Sequence, residues 1–196
     1  LAPKKILKRG FPAQAEQLAI EYRDKLKLHA CAPICAFKLA EHLRIPIYSA
    51  TEFLKLQHER DHLSGTNGSD CGWSALTMTT GAGNRIIIHN PFHSAPRQQS
   101  NIMHELAHII CGHEVDEAIR DIPLPFGMRH FDEVQEEEAK CLGATLQLPK
   151  PGLLWSLKRS MSQSDIAIHF NASVEMVAYR LNISGAAKQS YYMRRR

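Results

Sequence analysis

Among eleven histidines and thirteen glutamates in a chain of 196 residues, one short string has a spacing that can do chemistry: His104-Glu105-Leu106-Ala107-His108. On an α-helix two residues four apart share a face, so both imidazoles can reach one zinc ion at about 2.0–2.1 Å. Glu105 lies one residue on, displaced around the helix toward the open side of such a metal. A carboxylate there can take a proton from an attacking water and return it to a departing amine, which is general acid/base work beside a Lewis acid.

A catalytic zinc has three protein ligands and one open position, so the string is one ligand short. A third histidine ten residues after the first would complete one known pattern, but His113 stands nine after His104, and Gly112 is displaced by one as well. His113 therefore reads as a helix-end residue interacting with the C-terminal dipole. The other architecture brings a glutamate from a second helix. The run Gln135-Glu136-Glu137-Glu138-Ala139 opens the next helical stretch. Adjacent carboxylates repel unless something neutralises them. A solvated acidic face accounts for one or two of them, and the run alone does not decide which.

The elements that must carry these residues follow from pattern. Residues Gln98 to Cys111 place Ile102, Leu106, Ile109 and Ile110 on one side of a helix that Gly112 ends. A second helix runs from Asp132, a good N-cap, to Leu146. Ahead of them, Pro12 opens a helix of about four turns with Ala15, Leu18, Ala19, Tyr22 and Leu26 on its buried stripe. A shorter helix fits Pro33 to His42, and RIPIYSA reads as a strand with Pro46 at an edge or start. The segments WSALTMTT and NRIIIHN flank GAG as a hairpin, and the consecutive isoleucines 86–88 indicate a strand buried on both faces. Residues 64–72 read as loop and 113–131 as a long connection, a kind that is often functional. From Leu153 onward the pattern gives short helices and then a basic tail.

Composition limits the alternatives. With 44% hydrophobic and 22% charged residues the chain has the balance of a globular domain, and no apolar run is long enough to cross a bilayer. The basic N-terminus is not followed by the apolar stretch of a secretory signal. Five cysteines, an odd number in a chain this large, favour reduced thiols and a cytoplasmic setting. The net charge of +4 divides into +5 for residues 1–60, −6 for 61–150 and +5 for 151–196. The acidic middle also holds seven of the histidines, which suits a metal site and not a uniformly basic nucleic-acid surface.

The stretches IIIHNPFHSAPRQQSNIMHELAHIICGH, EEEAKCLGATLQLP and SDIAIHFNASVEMVAYRL together resemble the ImmA/IrrE family of zinc metallopeptidases, over roughly residues 13–183. The resemblance implies Zn²⁺ as cofactor, His104 and His108 as ligands, Glu105 as base, and a glutamate of the second helix as third ligand. The family's ExEA falls on Glu136 and Glu138. Glu136 is preferred because it shares a helical stripe with the small residues Ala139 and Gly143. Lys140 stands where the family often has Asn or Asp to support a metal histidine. The resemblance further implies a regulated intracellular endopeptidase whose protein substrate is often a helix-turn-helix repressor.

These readings give an α+β fold: a small, mostly antiparallel sheet, a zincin-type HExxH helix, a second Glu-bearing helix and a helical C-terminal subdomain. The expected organisation is a zincin-like metallopeptidase domain over 1–151, a helix-turn-helix-like subdomain over 152–183 packed on it, and a basic tail over 184–196. The second helix of that subdomain offers little beyond Arg180 to a DNA groove, so direct nucleic-acid binding is not expected. Cys111 and Cys141 read as small buried apolar residues, and Cys31 with Cys35 lacks CxxC spacing. His89, His93, His130, Tyr179 and Arg97 are equivalent as helpers to substrate or oxyanion. The competing class is a non-catalytic, zinc-containing DNA-binding or antitoxin-like module, against which an intact Glu105 argues.

Overall fold

A computed structural model describes residues 7–65, 73–113 and 132–193. Most of the loop read at 64–72 with Cys71, the connection at 114–131 with His130, and the three terminal arginines lie outside the described residues. The first helix, α1 (Phe11–Lys25), has Pro12 in its first turn and follows Gly10, whose φ of 92° is open to glycine without strain. It buries Ala15 and Ala19 as its periodicity requires, and also Arg23. The next helix, α2 (Ala36–His42), begins three residues later than Pro33. Cys35 is extended there, and the Ala36 N–H donates to Gln99 Oε1 at 2.6 Å, so a side chain from a distant helix sets the start.

The sheet has three strands in the order β1 (Ile47–Ser49), β3 (Arg85–His89), β2 (Ala75–Thr79). The hairpin pair β2 and β3 is antiparallel with Thr77 opposite Ile87, whereas β1 runs parallel to β3. Central placement buries Ile87 and Ile88 on opposite faces, one in the main core and the other against Ala50 and Leu63. A helix not apparent in the periodicity, α3 (Gln57–Ser64), lies between β1 and β2. Just past β3, the fully buried Asn90 donates to the carbonyls of Leu63 and Trp73 and accepts from the Phe92 N–H, which fixes the turn into the next helix.

That helix, α4 (Ala95–Cys111), has Pro96 in its first turn and ends at Gly112, whose φ is 69°. Its neighbour α5 (Glu133–Gln147) is capped by Asp132, which accepts from the Val134 N–H. The main core is formed where α1, α2, α4, α5 and β3 meet. A second cluster is formed by Leu148 and by α6 (Lys150–Lys158), α7 (Gln163–Phe170), α8 (Val174–Ile183) and the buried Ala186. The stretch read as a tail contains a further helix, α9 (Ala186–Met193), which buries Ala186 and Ser190. Its apolar positions are too few to announce it without the surface it packs on. Among the described residues no helix is long and apolar enough to cross a membrane.

Candidate metal centre

Helix α4 carries His104, Glu105 and His108, and α5 crosses it closely at Gly143. A Cβ on Gly143 would stand 3.1 Å from the Met103 carbonyl oxygen and 3.2 Å from the His104 Cα. Small residues at 139 and 143 thus let α5 approach the histidine-bearing backbone, and Glu136, on the same stripe, is delivered to the imidazoles. Ala139 is completely buried at this crossing.

The three side chains converge. His104 Nε2 and His108 Nε2 are 3.1 Å apart, and the two Glu136 oxygens lie 3.2 Å from His104 Nε2 and 3.5 Å from His108 Nε2. Donors around a tetrahedral zinc with bonds of 2.0–2.1 Å are separated by about 3.3–3.4 Å. The triangle found here therefore fits the ion, and its donor set of two imidazoles and one carboxylate leaves a fourth position open. A hydrogen bond with His104, opposed by burial, holds the Glu136 carboxyl below its usual range. It is thus anionic at neutral pH, as a ligand must be.

The other expected residues are placed differently. Glu138 points away from this triangle, toward His113 at 3.2 Å and Lys8 at 3.2 Å. Glu137 pairs with Lys140, and Glu133 belongs to the first turn of α5. Lys140 also lies over the Tyr179 ring. His113 Nδ1 lies 3.0 Å from His108 Nδ1. His89 stacks edge-on against Phe37. His93 faces Asn90 and Asn101. Tyr179, in contrast, lines a cleft of about 280 Å³ beside His104, with Ala144 and Met176 among its neighbours. Burial above all pushes the Tyr179 phenol up to about 12, so it remains a neutral donor.

One contact had no sequence signal. The hydroxyl of Thr77, on β2, donates to Glu105 Oε2 at 2.6 Å, and both residues are buried. A threonine in a strand is unremarkable by composition, and only the packing of β2 on α4, 28 residues away, reveals the pair.

The two cysteines near the site lie outside the donor triangle. Cys141 is completely buried in the core. Desolvation pushes the Cys111 thiol up to about 11, with Glu138 and Cys141 adding to it and Lys8 opposing. We expect Cys111 in the folded protein at pH 8 to be alkylated by iodoacetamide roughly a hundredfold more slowly than a free thiol, because so little thiolate is present. Mass spectrometry of timed samples reads this directly, and labelling at the free-thiol rate would contradict the placement.

A family model described as the IrrE N-terminal-like domain, of the M78 peptidases, matches residues 52–182. Comparison with curated proteins and with solved structures returns no match.

Proposed function

The chain belongs to the M78 peptidase family, and from that premise we propose that it is a zinc-dependent endopeptidase in which His104, His108 and Glu136 hold the metal and Glu105 is the general base. The observation that carries this reading is the convergence of two imidazoles and one carboxylate at separations suited to zinc, on the helix that also bears Glu105. When bound, zinc would supply Lewis-acid polarisation of the scissile carbonyl and lower the pKa of the attacking water. Glu105 takes the proton of that water and passes it to the leaving nitrogen as the C–N bond breaks.

Thr77 fixes the rotation of the Glu105 carboxylate by engaging one of its oxygens. Thr77→Val leaves that buried oxygen without its donor, an expected loss of about 1–1.5 kcal/mol, or roughly tenfold in kcat. Zinc content should be unchanged and Thr77→Ser should restore the rate. An unchanged kcat in the valine variant would remove Thr77 from the machinery.

The same strand suggests how substrate is held. Among the described residues β2 pairs only with β3, so its outer edge can accept an extended peptide by main-chain hydrogen bonding. The cleft beside His104 would take an apolar side chain of that peptide. Family membership supports a protein substrate, and the resemblance supports a regulatory protein, specifically a helix-turn-helix repressor, cleaved in the cytoplasm. The C-terminal helices fit a packing role better than DNA reading. Arg180 is the one basic residue of α8, and it is buried against Glu16 instead of facing a phosphate. The test is digestion of candidate repressors by the zinc-loaded protein, with and without chelator. Chelator-sensitive cleavage supports the endopeptidase. Stoichiometric DNA binding without cleavage would favour a non-catalytic regulator.

A further inference from the structure

We propose that His113 and Glu138 are positioning residues: a proton-ordered relay that orients the His108 imidazole from behind and selects the tautomer able to bind zinc. This rests on the reading of His104, His108 and Glu136 as the metal ligands, and assigns work to two residues that reading leaves unused.

The relay is built by the turn at the end of α4. Gly112, at a φ of 69°, reverses the chain so that the His113 N–H donates to the His108 carbonyl at 3.0 Å. The His113 ring folds back edge-on to that of His108, with centroids 5.0 Å apart and Nδ1 facing Nδ1 at 3.0 Å. On its far side His113 Nε2 is 3.2 Å from Glu138 Oε2. The side chains of His113 and Glu138 are 6% and 5% exposed, so water does not satisfy these groups in place of one another. Lys8 Nζ comes within 3.2 Å of Glu138 Oε1 as an ion pair, from a direction that does not make a hydrogen bond.

Proton order follows from the donor rules of imidazole. Two Nδ1 atoms at hydrogen-bond distance require that one carry the proton and the other accept it. His108 must offer its Nε2 lone pair toward His104 and Glu136, so its proton sits on Nδ1 and is donated to His113. With its Nδ1 accepting, His113 carries its proton on Nε2 and donates it to Glu138 Oε2. Each bond has one donor and one acceptor, and the chain ends on an anion beside a lysine. Two carboxylates two residues apart on α5 therefore address one imidazole from both sides, Glu136 at Nε2 and Glu138 through His113 at Nδ1. Outer partners of this type raise the basicity of a ligand histidine and fix its ring.

The test is zinc affinity, by competition with a chelating indicator, together with the ring protonation sites of the zinc-loaded protein by long-range ¹⁵N–¹H correlation. We expect wild type to show His108 protonated at Nδ1 and His113 at Nε2. His113→Ala and Glu138→Ala should each weaken zinc binding by about 10–100-fold. His113→Asn, whose carboxamide oxygen can occupy the Nδ1 position, and Glu138→Gln, which keeps an acceptor, should recover most of that loss. Unchanged affinity in both alanine variants overturns the relay, as does a His113 that carries its proton at Nδ1. Should the alanine variants fail to fold, the wild-type spectrum alone decides. A wild-type chain that takes up no zinc overturns the underlying metal reading, a result distinct from zinc bound with the wrong proton order.

Discussion

Glu105→Gln is expected to lower kcat for peptide cleavage by at least about 10³-fold while leaving zinc stoichiometry and thermal stability close to wild type. The amide is isosteric with the carboxylate and can still meet the Thr77 hydroxyl through its oxygen, so the buried contact survives. It cannot take up the proton of the attacking water. General acid/base catalysis contributes typically 10²–10⁴-fold, and Glu105 is asked for both a proton abstraction and a proton delivery. The loss should therefore appear in kcat, not KM, because the residue makes no claim on the ground-state substrate. Retained cleavage with full zinc would mean that another group is the base. Lost cleavage with lost zinc would show that the substitution had damaged the site itself.

The second large effect lies far from the chemistry. Arg180 is buried on α8, with one guanidinium nitrogen 2.6 Å from Glu16 Oε1 on α1 and its Nε donating to the Leu148 carbonyl at 2.9 Å. The other Glu16 oxygen accepts from the Lys150 N–H and so caps α6. Arg23, also buried, donates to the carbonyls of Leu146 and Gln147 and satisfies the end of α5. Burial draws the Arg23 guanidinium down to about 10, with Glu16 counteracting, so it is still charged at neutral pH. The two arginines thus bind the end of α5, which bears Glu136 near its start, to α1 and to the C-terminal helices. Removing the buried guanidinium strands the Leu148 carbonyl and leaves the half-buried Glu16 with the Lys150 N–H alone. Arg180→Met is expected to cost about 2–3 kcal/mol. For a chain of this size that lowers Tm by roughly 4–12 °C. Arg180→Lys should recover little, because a single ammonium cannot reach Glu16 and the Leu148 carbonyl from the fork's geometry. A shift of only a degree or two in either variant would show that this network is not what joins the two clusters.

What was legible in the sequence is what is local. His104, Glu105 and His108 sit within one and a half turns of one helix, so their relative placement follows from helical geometry alone. The α+β class, the β2 and β3 hairpin and the helices carrying the site follow from periodicity in the same way. The choice between Glu136 and Glu138 was not local. Two residues on a helix differ by about 200° in direction, and which one meets the imidazoles depends on how α5 crosses α4. The stripe of Ala139 and Gly143 hinted at the answer because close helix approach needs small residues, and Gly143 does lie against the His104 backbone. Thr77, His113 as partner of Glu138, and the buried arginines were illegible for a related reason. Each owes its role to a side chain or carbonyl 25 or more residues away, and no short-range pattern encodes such a pairing. Arginine in particular reads as surface from its type alone.

Everything proposed for Glu105 depends on zinc being held by His104, His108 and Glu136. The most direct measurement is the zinc content, by inductively coupled plasma mass spectrometry, of wild type and Glu136→Ala after stripping with chelator and dialysis against excess zinc followed by buffer. About one zinc per wild-type chain is expected, and essentially none in Glu136→Ala, whose donor set is reduced to two imidazoles. A full complement of zinc in Glu136→Ala, or none in wild type, would contradict this ligand set.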